Sequence, residues 1–287
     1  MTRLHILSND DFDRLYKIPQ LTNEERQLIF ELDENDKSYL NQINTIPAKI
    51  NYILHLGYFR ISQYFFSFNF QDVKEDVKFI LKTYFPENKF PDKQIGSRKY
   101  YENRKAILSK YEMILYSKQY EKQLSDYLKF LVIQHAVPKY LFDSLLDYCH
   151  RHKIIRPSYS VLQGLVSTAL QKERSRLNNK LYTLMDNHLR KSLDELLEKN
   201  DLFYQLTSIK KEQKDFSTHE IRETVEKNKL INSIYYASIE IIKQLKISEQ
   251  NIAYYADLAM QYTVHDLQNF NPHSGNLGSL LPSWIAL

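Results

Sequence analysis

Thr45-Ile46-Pro47-Ala48-Lys49-Ile50-Asn51-Tyr52-Ile53-Leu54-His55-Leu56-Gly57-Tyr58-Phe59-Arg60 reads as a helix. Pro47 fits the first turn, where the N–H it lacks would have had no partner. Behind it Ile50, Ile53, Leu54 and Tyr58 recur at three- and four-residue steps and make one apolar face. The spacing predicts a buried amphipathic helix that stops near Gly57.

The flanks repeat the pattern. Thr22 with Glu25 three residues on is a capping box, which starts a helix over Asn23–Leu32. A second short helix covers Asp36–Ile43. After the aromatic run Phe65–Phe70, Asp72 caps a helix over Val73–Tyr84, with Val73, Val77, Ile80, Leu81 and Tyr84 on one face and Pro86 as its stop. Glu87–Ser97, with Pro91 and Gly96, reads as a loop. Helices follow over Tyr101–Tyr111 and Glu121–Val137, Pro138 marks a break, and further helices cover Tyr140–His152, Tyr159–Leu181, Asp186–Lys199, Ile221–Leu245 and Ser248–Tyr262.

Composition agrees. Only 5 glycines and 8 prolines occur in 287 residues, too few turn-formers for many tight hairpins, and 43% of the residues are hydrophobic. The expected fold is all-α and multi-helix, in two helical lobes parted around Tyr116–Gln123: residues 1–120, then 121–271, then an atypical tail, 272–287. One cysteine, Cys149, excludes an internal disulfide or a thiolate cluster and fits a reducing cytoplasm. It is expected to be buried as a small apolar residue. No apolar run approaches the ~18–20 residues needed to span a bilayer, and Met1–Leu7 lacks a signal-peptide pattern. The expected location is cytoplasmic, at a bacterial nucleoid.

Charge is distributed unevenly. Residues 98–180 carry 16 basic and 7 acidic side chains, whereas residues 1–97 carry 12 and 14 and residues 181–287 carry 11 and 14. The whole basic surplus lies mid-chain, the footprint of a polyanion partner. Two segments concentrate it. In Ser97–Lys105, the cations Arg98, Lys99, Arg104 and Lys105 stand with Tyr100, Tyr101 and Asn103 at a helix start, where N–H groups also favour phosphate. In Leu145–Leu177, a helix ends in His150-Arg151-His152-Lys153, a short segment closes on Arg156-Pro157, and Ser158 or Ser160 caps the next helix. On that helix Leu162, Leu165, Val166, Ala169 and Leu170 point inward, while Gln163, Ser167, Gln171, Arg174 and Asn178 project elsewhere. The layout is compatible with a helix-turn-helix-like unit whose second helix enters the major groove. Gln, Asn and Arg read base edges there, and Lys and Ser hold phosphates.

Several of these blocks resemble the N-terminal region of Tn-three-type transposases: Ile6-Leu7-Ser8, Leu21-Thr22-Asn23-Glu24-Glu25-Arg26, Thr45–Arg60, the basic segment at Ser97–Lys105, Ile155-Arg156-Pro157-Ser158-Tyr159-Ser160, Glu173-Arg174-Ser175-Arg176-Leu177 and Tyr254–Thr263. The resemblance covers about residues 4–270. It implies a region that binds the terminal inverted repeats of a transposon as double-stranded DNA and works as a homodimer within a transposase complex, with no cofactor. The DNA-contacting residues so implied, with the residue chemistry above, are Arg98, Lys99, Arg104, Lys105, Arg151, Lys153, Arg156, Ser158, Tyr159, Ser160, Gln163, Ser167, Gln171, Arg174 and Arg176. From about Gly275 onward the resemblance stops, as in a truncated or frame-shifted gene; a natural terminus with a small hydrophobic plug is the alternative.

No catalytic pattern is present. Transposases of that family cut DNA with three acidic residues and two metal ions far downstream of the region matched. The chain lacks a phosphate loop, a G-x-S-x-G turn and an H-E-x-x-H helix. His150 and His152, two apart, do not share a helix face and make a poor metal pair. The expectation is a non-enzyme without a metal site. Its rivals are a truncated regulator that competes with intact transposase for the same ends, and a helical protein-interaction scaffold.

Overall fold

The computed structural model describes residues 4–92, 95–184, 199–200, 203–204, 215 and 217–260. Helices α1 (Asn9–Tyr16), α2 (Asn23–Ile29), α3 (Glu34–Asn41), α4 (Ile46–Ser62), α5 (Lys74–Tyr84), α6 (Ser97–Tyr111), α7 (Lys118–Gln134), α8 (Pro138–Arg151), α9 (Tyr159–Leu184), α10 (Thr218–Leu245) and α11 (Glu249–Met260) make the fold all-α. A two-residue antiparallel ladder, Lys199–Asn200 with Phe203–Tyr204, is the one sheet among the described residues. No described helix is long and apolar enough to cross a membrane. The chain divides into two units, residues 1–122 with 143–163 and residues 123–142 with 164–287.

The first unit is built around α4, which packs against α2, α5 and α6. The stripe expected from sequence is wider in the structure: from Ala48 to Phe59 every residue but Lys49 is buried. Helices on several sides leave no solvent face, and several of the helix's polar groups are satisfied internally. The Tyr52 hydroxyl donates to Asp36 at 3.1 Å and the Tyr58 hydroxyl to Asp76 at 2.5 Å. Asp36 also takes Arg60 at 3.1 Å and Lys110 at 2.6 Å, and Asp76 takes Arg26 at 2.6 Å. Asn103 of α6 donates to the Ala48 carbonyl at 3.0 Å and to Asn51 at 3.1 Å.

The helix does not stop at Gly57. It continues to Ser62 and closes on Gln63 in the left-handed conformation (φ 49°). Gly57 serves close approach instead, since a Cβ there would lie 2.4 Å from the Phe30 ring. Three further differences have local causes. Asp72 receives the Asn69 N–H and does not cap α5, whose N-cap is Val73. Pro138 opens α8, the position where a missing N–H does no harm. Helix α1, absent from the sequence reading, is capped by the Ser8 hydroxyl, which receives the Asp11 N–H.

In the second unit, Leu124, Leu128, Val132, Leu141, Phe142, Val166, Leu170, Leu177, Leu245 and Tyr255 are among the buried residues. The start of α11 closes the end of α7. Asn251 donates to the carbonyls of Val132 (2.9 Å) and Ile133 (3.1 Å) and receives the Ala136 N–H (2.5 Å), while Ser248 donates to the Gln134 carbonyl (2.6 Å). Those carbonyls are the orphan acceptors of a helix terminus. Most of the expected helix Asp186–Lys199 and the whole tail 272–287 lie outside the described residues.

Candidate nucleic-acid interface

Helix α6 begins directly after Gly96, which makes no side-chain cap, and its first turn holds no acidic residue. Arg98 and Lys99 occupy that turn. Both are held by Glu102, at 3.1 Å and 2.9 Å, and the Arg98 side chain is 95% exposed. Exposed pairs of this kind contribute little, so an incoming phosphate competes for both cations at small cost. Lys105 and Tyr101 are exposed one turn on and beside them. Cations at a helix N-terminus oppose the helix dipole, whose positive end lies there. The turn is therefore electropositive from both side chains and free N–H groups.

Arg104 differs from its neighbours. Its guanidinium lies 4.2 Å from the centre of the Phe65 ring and 5.2 Å from that of Tyr100, and it donates to the Tyr100 hydroxyl at 3.4 Å. It packs the core edge instead of facing solvent. Beside it His55 is buried among Phe65, Phe68 and Tyr100, and neither ring nitrogen has a hydrogen-bond partner among the described residues. Burial, with the Arg104 charge adding to it, pushes the imidazole down to about 3.

The second basic segment sits at the opposite kind of helix end. The Ile154 N–H reaches back to the Cys149 carbonyl (2.8 Å) and the Lys153 N–H to His150 (3.1 Å), with Lys153 left-handed at φ 53°. This is a Schellman closure of α8 without glycine. Helix α6 ends the same way on Glu112 (φ 53°), and the two ends are joined by Ile114 N–H to Lys153 carbonyl (2.8 Å), Ile155 N–H to Ile114 carbonyl (2.9 Å) and the Lys153–Glu112 ion pair (2.5 Å). Arg151 lies 3.6 Å from Asp147. Cations at a helix C-terminus complement its dipole, so Arg151 and Lys153 have a structural explanation that Arg98 and Lys99 lack. Cys149 is buried as expected, and burial pushes its thiol up to about 11.

Four residues assigned to DNA from sequence are held inside the first unit. Arg156 lies over the rings of Tyr16 and Tyr64, at 5.3 and 4.9 Å, and donates to the Leu15 carbonyl; burial pulls its basicity down. The Tyr159 hydroxyl receives the Ile6 N–H at 3.1 Å, and Gln163, itself buried, donates to the Leu4 carbonyl at 2.6 Å. With Arg104 they are engaged in contacts within the first unit; Gln163 is buried and the other three are half-buried. Ser158 and Ser160 are exposed, their hydroxyls 3.1 Å apart, and the Ser158 carbonyl receives the Val161 and Leu162 N–H groups.

In the second unit, α9 buries Val166, Ala169 and Leu170 as its spacing requires, but Glu173 and Asn178 are buried too. Arg176 makes a two-pronged ion pair with Glu173 (2.6 and 2.7 Å), and Arg174 is half-buried with its Nε out of solvent. Gln171 is exposed and Ser167 half-buried. Lys172, overlooked in the sequence reading, is exposed and lines a shallow groove with Lys129 and Arg176. It stands three residues past Ala169 and seven past Leu165, at the edge of the apolar stripe. At the start of α10, His219, Glu220 and Glu223 bring ligand atoms within 4.8 Å of one another on a turn where none of the three is buried, a grouping common without any ion.

No curated protein matches the sequence. Residues 6–169, more than half of the chain and all of α1 to α8, match the family described as Domain of unknown function (DUF4158). The chain is a member of that family.

Proposed function

We propose that this chain is a non-catalytic DNA-binding region that recognises the terminal inverted repeats of a transposon, as the N-terminal part of a Tn-three-type transposase does. The supporting observation is the first turn of α6, where Arg98 and Lys99 stand against the helix dipole with uncapped N–H groups and no acidic neighbour in the turn. Such a turn is stabilised by an external anion, and the mid-chain basic surplus makes the anion a polymer. Phosphates anchor at Arg98, Lys99 and Lys105, with the Tyr101 ring against sugars. Base reading falls to the exposed side of α9, at Gln171 and Ser167, with Lys172 on the backbone. Arg104, Arg156, Tyr159 and Gln163 have no part in it.

The test is fluorescence anisotropy of the full chain with the element's terminal repeat and with a scrambled duplex of equal length. Tighter binding to the repeat supports an end-recognition module. Equal and weak binding to both leaves only a basic surface, and no binding favours a scaffold.

A further inference from the structure

The C-termini of α4, α6 and α8 converge on one cleft of the first unit, about 420 Å3 in volume and lined by Phe59, Arg60, Gln63, Tyr111, Met113, His150, Arg151 and Lys153. That volume lies in the range of small-molecule sites. Four described residues other than glycine have positive φ: Gln63, Glu112, Lys153 and Lys246. Three of them close the helices that meet here. Left-handed backbone at such residues is strained and gathers at sites of function, and glycine at any of the three would have closed its helix more cheaply.

The lining has a specific chemistry. Phe59 and Tyr111 pack ring to ring at 5.3 Å, tilted by 43° to each other; Phe59 itself is buried, so Tyr111 and the Met113 thioether make the reachable apolar floor. The walls carry Gln63 and Arg151, residue types that form paired hydrogen bonds with the edges of bases, and His150, whose imidazole offers a single one. Charge is nearly balanced: Asp36 holds Arg60, Glu112 holds Lys153 and Asp147 faces Arg151, while three helix C-termini add negative potential. A bare anion gains little in such a place. A neutral, planar, hydrogen-bonding ring gains from floor and walls together.

We propose that this cleft binds a single nucleobase, ring against Tyr111 and Met113 and edge against Gln63, His150 and Arg151. The base belongs either to a free nucleoside or to an unpaired nucleotide of a DNA strand; only the second source rests on the DNA-binding reading above.

The test titrates the full chain with 2-aminopurine riboside, with inorganic phosphate, and with two duplexes carrying 2-aminopurine, one fully paired and one with the probe base unpaired. Fluorescence of the probe is expected to change on binding of the riboside and of the unpaired duplex, with none for the paired duplex and no competition by phosphate. His150→Ala, an exposed change, and Gln63→Asn, which tolerates the left-handed backbone, should each weaken riboside binding about tenfold, the loss of one good hydrogen bond, with thermal melting unchanged. Riboside binding without response from the unpaired duplex assigns the cleft to free nucleosides. No riboside binding, or binding insensitive to both variants, overturns the proposal, and the DNA reading is judged separately by the affinity for the paired duplex. Competition by phosphate alone would make the cleft an anion site and overturn it as well.

Discussion

The start of α6 and the end of α8 are both basic, and only at the second do the charges match the helix dipole. At the end of α8, Arg151 and Lys153 lie where a helix favours cations, each beside a carboxylate. At the start of α6, Arg98 and Lys99 share the Glu102 carboxylate but lie where a helix disfavours them, with uncapped N–H groups around them. Two runs of similar composition therefore carry different information. Charge counted along the sequence cannot separate them, whereas the helix end on which each charge sits can.

The largest expected effect concerns the scaffold on which both ends rest. Asp36, its side chain fully buried, holds Arg60 of α4 and Lys110 of α6. Asp36→Ala leaves both cations without their carboxylate and should cost about 3–5 kcal/mol in urea unfolding. A loss near zero would mean the two ends are not fixed by a common core. Gly57→Ala drives a methyl group into the buried Phe30 ring and should cost roughly 1–3 kcal/mol by the same measurement.

Acid separates the two ends' surroundings by another route. His55 packs under the first turns of α6 and is neutral in the fold, its pKa lowered from 6.5 to about 3. The unfolded chain binds the proton more readily, so this stability is complete above pH 6.5 and is lost as pH falls, by about 1.4 kcal/mol per pH unit down to about pH 3. His55→Phe removes the titrating group without breaking a hydrogen bond and should flatten unfolding between pH 6.5 and 5. A wild-type profile already flat there would show that the imidazole is reached by water.

The smallest effects sharpen the comparison most. Ser97→Asp places an acid in the first turn of α6; it should raise stability by about 0.3–1 kcal/mol and weaken DNA binding. Arg151→Glu at the end of α8 should lower stability by a similar amount and leave duplex affinity nearly unchanged. If both variants changed affinity alike, helix polarity would not be what distinguishes the segments.

The helical class was legible because so few glycines and prolines occur and because Thr22–Glu25 spells a capping box that the structure contains on both sides. What periodicity hid were polar side chains whose partners are remote. Gln163 meets Leu4 and Arg156 meets Leu15, each across more than 140 residues, and nothing local marks either as internal. Gly57 was misread for the same reason, because Phe30 arrives beside it from outside α4. At the candidate interface, composition singled out Arg98, Lys99 and Lys105, of which the structure leaves Arg98 and Lys105 exposed and Lys99 half-buried. The internal role of Arg104 depends on Phe65, which a linear pattern does not place beside it.

The most direct measurement is the salt dependence of binding to the terminal repeat, for the wild-type chain and for the Arg98→Glu, Lys105→Glu double variant, with thermal melting of both. Loss of two phosphate contacts should flatten the slope of log affinity against log salt by about two units and weaken binding at every salt, while the melting temperature holds. An unchanged slope and affinity in a folded double variant would contradict the assignment of the α6 start to DNA.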